Sequence, residues 1–123
     1  MIHFDTNFLI QTVIAGSAAH QKFQAWTKAQ EACNVSSIAW AEFLCGPLDA
    51  AAEGIARQIF PNPEPFLPAD AVLAARLFNQ TGRRSRSLAD CMVASVAIRC
   101  GAKLATFNTA DFQVFLAHGL ILA

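Results

Sequence analysis

Neither sign of charge dominates this chain: nine lysines and arginines stand against nine aspartates and glutamates, and the pI is near 6.8. The broad positive field of a strongly basic nucleic-acid-binding domain is therefore missing, and any contact with a polyanion has to use local patches. No uninterrupted apolar run approaches the roughly 18 residues of a membrane span. The four cysteines, Cys33, Cys45, Cys91 and Cys100, form no C-x-x-C pair. The histidines His3, His20 and His118 share no motif with them or with one another, which argues against zinc and against a histidine-centred site. A G-x-S-x-G elbow, a phosphate-cradling glycine loop, a cysteine-nucleophile motif, internal repeats and low-complexity tracts are also lacking. The cysteines lie among apolar neighbours, as reduced thiols of a cytosolic protein do. Asp5 arrives almost at once, with no basic stretch before it, so the expectation is a cytoplasmic protein without a signal peptide.

What the sequence does contain is ample core material. Of its 123 residues 54% are hydrophobic and 15% charged, which suits one compact domain over residues 1–123 and excludes an intrinsically disordered chain. A short apolar run at 2–4 predicts a strand, followed by a helix through Phe8, Leu9 and Ile10 towards Gly16. Helical spacing recurs over 17–32 with Ser17 as cap, and 33–37 is too short for anything but a second strand. Helices are expected at 38–44, 48–60, 68–79 and 87–99, the last apolar nearly all round and so buried on most sides. Three prolines keep 61–65 out of any helix, with an edge strand expected at 65–67. Strands at 103–106 and 120–122, around a short helix at 109–117, complete the pattern. Strands alternating with helices predict an α/β fold with a mainly parallel sheet covered on both faces.

Acids are the informative residues. Glu31, Asp49, Glu53 and Glu64 occupy polar or breaker-rich stretches, but Asp5, Glu42, Asp90 and Asp111 each sit beside apolar sequence. An ionised carboxylate in such a setting costs several kcal/mol unless a cation, ion pair or hydrogen bonds compensate it. Asp5 and Asp111 follow predicted strands, and ligands in open parallel sheets bind at the carboxyl ends of strands. Clustered carboxylates raise one another's pKa, and a hard divalent cation, Mg²⁺ or Mn²⁺, reverses that penalty. Taken singly, three of the four have simpler readings. Asp5-Thr6-Asn7 can cap the first helix, and Ser87 with Asp90, like Asn108 with Asp111, has the spacing of a capping box. Glu42 has neither a capping serine three residues before it nor a basic residue at i+4. The tryptophans and phenylalanines read as core, although an exposed one could stack on a base.

Four fragments in order resemble the PIN-domain family, and in particular VapC-type toxins of bacterial toxin–antitoxin pairs. They are Ile2-His3-Phe4-Asp5-Thr6-Asn7, Ala41-Glu42-Phe43, Leu88-Ala89-Asp90-Cys91-Met92-Val93-Ala94 and Leu104-Ala105-Thr106-Phe107-Asn108-Thr109-Ala110-Asp111-Phe112, and the likeness covers essentially the whole chain. The resemblance implies a three-layer α/β/α sandwich, a Mg²⁺- or Mn²⁺-dependent endoribonuclease, a homodimer and a cognate VapB-type antitoxin that blocks the acidic cleft. It implies Asp5, Glu42 and Asp90 as principal metal ligands and catalytic residues, Asp111 as the fourth acid, and Asn7 and Thr106 in support. Asn108 stands where some relatives carry an acid, which leaves the fourth ligand open between Asn108 and Asp111. Arg83, Arg84 and Arg86, just upstream of Asp90, are candidates for gripping flanking RNA phosphates. The competing expectation is a PIN-like module that binds metal or protein without cleaving. An aspartate-nucleophile phosphatase is disfavoured because Asp5-Thr6-Asn7 lacks a second aspartate two positions on.

Overall fold

The computed structural model describes residues 1–47, 49–85 and 87–123. In chain order its elements are β1 (Ile2–Phe4), α1 (Thr6–Thr12), α2 (Ala18–Lys28), β2 (Cys33–Val35), α3 (Ser37–Cys45), α4 (Ala50–Ile59), α5 (Pro68–Gln80), α6 (Leu88–Cys100), β3 (Lys103–Ala105), α7 (Thr109–Phe112), a 3₁₀ turn (Gln113–His118) and β4 (Ile121–Leu122). The strands form one sheet in the order β2-β1-β3-β4, every neighbouring pair parallel. Because side chains alternate across a strand, the sheet has two apolar faces, and each is covered by helices. Ile2, Phe4, Val35 and Ala105 pack under Phe8, Leu9, Ala19, Phe43 and Ala56 of α1 to α4. Leu104, with Leu122 against it, meets Ala74, Leu77, Val93, Ala94, Ala97, Phe112 and Phe115 of the second layer. The expected α/β/α sandwich forms, with a parallel sheet.

Local chemistry explains most boundaries. Ser17 accepts a hydrogen bond from the His20 amide at 3.0 Å, Ser36 one from Ala39 at 3.1 Å and Asp49 one from Ala52 at 2.7 Å, so α2, α3 and α4 each start on a side-chain cap. Gly101, at φ 63°, ends α6 in the left-handed geometry that glycine adopts without strain. Five consecutive residues of α6, Val93 to Ala97, are buried, as its apolar sequence required. Two expectations fail. No strand forms at 65–67: prolines on either side of Glu64 remove amide donors, and a single bridge between Glu64 and Ser36 is all that remains. The helix expected over 109–117 is only one turn of α7 before it tightens into the 3₁₀ turn. Residues three apart eclipse in that geometry, and Phe112 and Phe115 both reach the core.

His3 shares the Leu104 face of the sheet by register and is buried, with neither ring nitrogen hydrogen-bonded. Burial lowers its pKa and so favours the neutral ring. Nearby, α5 and α6 are cross-tied by an ion pair. Asp70, 1% exposed, accepts from Arg99 Nε at 2.7 Å and from the Leu67 amide at 2.8 Å, while Arg99 Nη2 also reaches Glu64 at 3.1 Å. Removing one partner of a buried pair strands the other charge. Arg99→Ala is therefore expected to lower unfolding free energy by about 3 kcal/mol. Urea titration checks this, and the Arg99→Ala/Asp70→Asn double variant should recover part of the loss.

Candidate functional site

The site grows from the carboxyl end of β1. Asp5 follows the strand directly, its amide donates to the Ala105 carbonyl at 3.1 Å, and its side chain is 3% exposed. One carboxylate oxygen accepts from the Phe8 amide at 2.8 Å, so Asp5 does cap α1. The other accepts from the Thr106 hydroxyl, 101 positions away in sequence. Burial raises the Asp5 pKa, the bonds from Thr106 and Phe8 lower it, and neighbouring Glu42 raises it again. Thr106 Oγ1 also accepts from the Asn108 amide at 2.9 Å, which ties the loop after β3 to the same carboxylate.

Asp90 lies in the first turn of α6 and is half-buried. It is not part of a capping box. Ser87 makes no side-chain cap, its hydroxyl donating instead to the Arg84 carbonyl at 2.7 Å. The Asp90 carboxyl is pushed up to about 6, chiefly by burial and then by the negative charges of Asp111, Glu42 and Asp5, with Arg84 opposing. Asn108 makes no side-chain cap to α7, so that capping alternative fails too.

Glu42 departs from its expected setting. Ala39 and Phe43 carry the buried face of α3, whereas Glu42 is exposed, with Oε1 accepting from the Thr6 hydroxyl at 2.7 Å. Asp111 is exposed as well. The desolvation cost inferred for four acids thus falls on two, Asp5 and Asp90, while the other two stand at the rim. All four nevertheless face one region. Asp5, Asn7, Glu42, Asp90 and Asn108 line a cavity of about 130 Å³ together with Thr6, Val93 and Phe112. Asp90 also lines a more open recess of about 230 Å³, shared with Arg84, Ser85, Ser87 and Asp111.

Of the arginines, Arg84 lines that recess, while Arg83 Nε donates to Asn79 Oδ1 at 2.9 Å and is held to α5. Arg86 lies outside the described residues. Asn7 and Asn108 line the smaller cavity, and Thr106 reaches it through its bond to Asp5. Thr6 was passed over. Its adjacency to Asp5 was visible, but its partner Glu42 is 36 positions away and was not. Asp70, the ninth acid, is buried too, but its charge is satisfied by Arg99.

The donors are carboxylate and amide oxygens, which suit a hard divalent cation. Among the described residues no three His, Cys, Asp or Glu side chains stand close enough to make a ready-made ligand cage. Mg²⁺ does not need one, since it is commonly held through one or two carboxylates and keeps several waters. Asp5 offers an anchored carboxylate, and ionised Asp90 is disfavoured by burial and by the charges of Asp111, Glu42 and Asp5, which a cation would relieve. The residues fit such an ion.

A family model describing the PIN domain matches residues 2–115. Solved structures with the same fold include VapBC2 from Rickettsia felis bound to a promoter DNA fragment, at 20% identity and TM-score 0.77, covering 100% of this chain and 98% of that one. FitAcB from Neisseria gonorrhoeae matches at 19% identity and TM-score 0.71, covering 100% and 97%. A toxin–antitoxin complex from Klebsiella pneumoniae matches at 26% identity and TM-score 0.70, covering 91% and 90%. No curated relative matches the sequence.

The Asp90 shift gives a pH-dependent prediction. A carboxyl whose folded pKa lies above its unfolded value stabilises the fold fully below about pH 4, and that contribution is lost as pH rises to about 6. Asp90→Asn should therefore raise the melting temperature of the metal-free protein at pH 7.5 by about 4 °C, the shift expected for ~1 kcal/mol in a chain of this size. At pH 4 the difference should vanish. Added Mg²⁺ should raise the wild-type melting temperature and leave the variant's unchanged, which differential scanning calorimetry reads directly.

Proposed function

Because the chain belongs to the PIN-domain family, we propose that it is a divalent-metal-dependent endoribonuclease, the toxin of a type II toxin–antitoxin pair, acting in the cytoplasm as a single catalytic domain over residues 1–123. The observation that carries the reading is the cavity onto which Asp5, Glu42 and Asp90 converge from β1, α3 and α6, with Asp111 and Arg84 on the recess beside it. Asp5 and Asp90 would hold a Mg²⁺ or Mn²⁺ ion most directly. Such an ion supplies positive charge for a scissile phosphate and makes a water more acidic.

The chain's own residues do the rest. Thr106 and the Phe8 amide fix the Asp5 carboxylate in one orientation, so it need not reorganise when substrate arrives. Thr6 holds Glu42 at the rim, where Glu42 and Asp111 orient the attacking water and accept its proton. Arg84 meets a phosphate flanking the cleaved bond, and hydrolysis adds water across that bond. Asn7 and Asn108 present polar atoms to the same cavity, and Asn108 and Asp111 remain alternatives for the last ligand. Solved complexes of this fold include toxin–antitoxin assemblies, which supports a VapB-type antitoxin as partner, and the family resemblance implies a homodimer as the working form.

Incubation of the purified protein with total RNA, with Mg²⁺ and with EDTA, tests the reading. Cleavage should require the metal. Asp5→Asn should lose roughly 100-fold or more of the rate while its circular dichroism spectrum stays that of the wild type. Thr106→Val should weaken metal dependence by about 10-fold. Metal binding without any cleavage of RNA would leave the non-cleaving interaction module as the correct description.

A further inference from the structure

Phe107 is 40% exposed, although it sits between two residues wired into the site: Thr106, which donates to Asp5, and Asn108, whose amide donates to Thr106. Its backbone is therefore held on both sides. Its ring is held as well. Phe8 lies parallel beneath it, with centroids 4.9 Å apart and planes 20° apart, and Trp26 continues the stack under Phe8 at 5.7 Å and 30°. Lys22, from α2, carries its Nζ 5.8 Å from the Phe107 centroid. The result is a rigid flat ring, backed by the core and topped by a flexible cation, at the carboxyl edge of the sheet beside the acidic cavity.

Resting on the reading of this cavity as a ribonuclease site, we propose that Phe107 and Lys22 form a nucleotide subsite that binds an unpaired base flanking the scissile phosphate. The base stacks on the exposed part of the Phe107 ring, and the Lys22 ammonium moves to the adjoining phosphate. An aromatic face accepts any base, so the subsite selects single-stranded over paired RNA without reading sequence. Its position defines a path for the strand. Arg84 and Ser85 lie on the α5–α6 side of the sheet, Phe107 and Lys22 on the α1–α2 side, and the carboxylates stand between. Net charge is zero, so binding energy for a polyanion must come from such local contacts, and stacking supplies some of it without depending on charge.

Cleavage kinetics and stacking can be measured on a short single-stranded oligoribonucleotide that carries 2-aminopurine next to the bond the wild-type protein cuts. Phe107→Leu keeps apolar packing on Phe8 but loses the flat ring. It should raise KM by about 10-fold, change kcat less than twofold and abolish the initial 2-aminopurine quench, with melting temperature near wild type. Phe107→Trp should retain the quench and KM. Lys22→Ala should raise KM and flatten its salt dependence. If Phe107→Leu leaves KM and the quench unchanged while the wild type cleaves, the subsite is wrong and the nuclease reading stands. If the wild type cuts no RNA, both fall together. A ring that instead serves association with a second copy would show as a sedimentation change in Phe107→Leu with KM unmoved, which also overturns the proposal.

Discussion

One buried carboxylate organises this molecule. Asp5 follows β1, one of the two inner strands, at the edge where parallel strands deliver ligand sites, and two neutral donors, the Phe8 amide and the Thr106 hydroxyl, fix its oxygens. The first of these starts α1 and the second fastens the loop after β3. One residue thus starts a helix, fastens a loop and carries a carboxylate below the surface. The same arrangement leaves its negative charge only partly neutralised, because hydroxyl and amide dipoles do not cancel a full charge. Asp90, also raised in pKa and nearer solvent, shares the deficit.

The rest of the fold can be understood as a frame for that deficit. Two apolar layers hold the strands in register, Phe4 and Phe8 on one side and Leu104 with Phe112 on the other, so that β1, β3 and α6 cannot shift relative to one another. The Asp70–Arg99 pair fastens α5 to α6 at a distance from the acidic cavity, and that buried acid has its own arginine. Among the described residues Asp5 and Asp90 make no such ion pair. The contrast separates an acid whose charge is met by a partner within the fold from two that are held by neutral donors or set among other carboxylates, and neither burial nor charge alone would have separated them.

Much of this was legible in the residues. The strand at 2–4, the caps at Ser17 and Asp5, the apolar α6 and the proline barrier at 61–65 follow from short-range stereochemistry, and the structure has them. The missing strand at 65–67 and the split of 109–117 were not legible, because both depend on what packs or bonds across the chain. Glu42 shows the limit most clearly. Its apolar neighbours in sequence suggested burial, yet a helix turns 100° per residue, so Phe43 points inward while Glu42 meets Thr6 at the surface.

By itself the sequence determined the α/β alternation and singled out the acids beside apolar stretches, since these rest on local periodicity and on the composition of nearby segments. Only the tertiary structure decided which acids are desolvated, which hydroxyls hold them, and that an aromatic ring stands exposed beside the cavity. Those outcomes depend on pairs far apart in the chain, such as Asp5 with Thr106, Glu42 with Thr6 and Phe8 with Phe107. Periodicity carries no information about such pairs until the sheet brings them together.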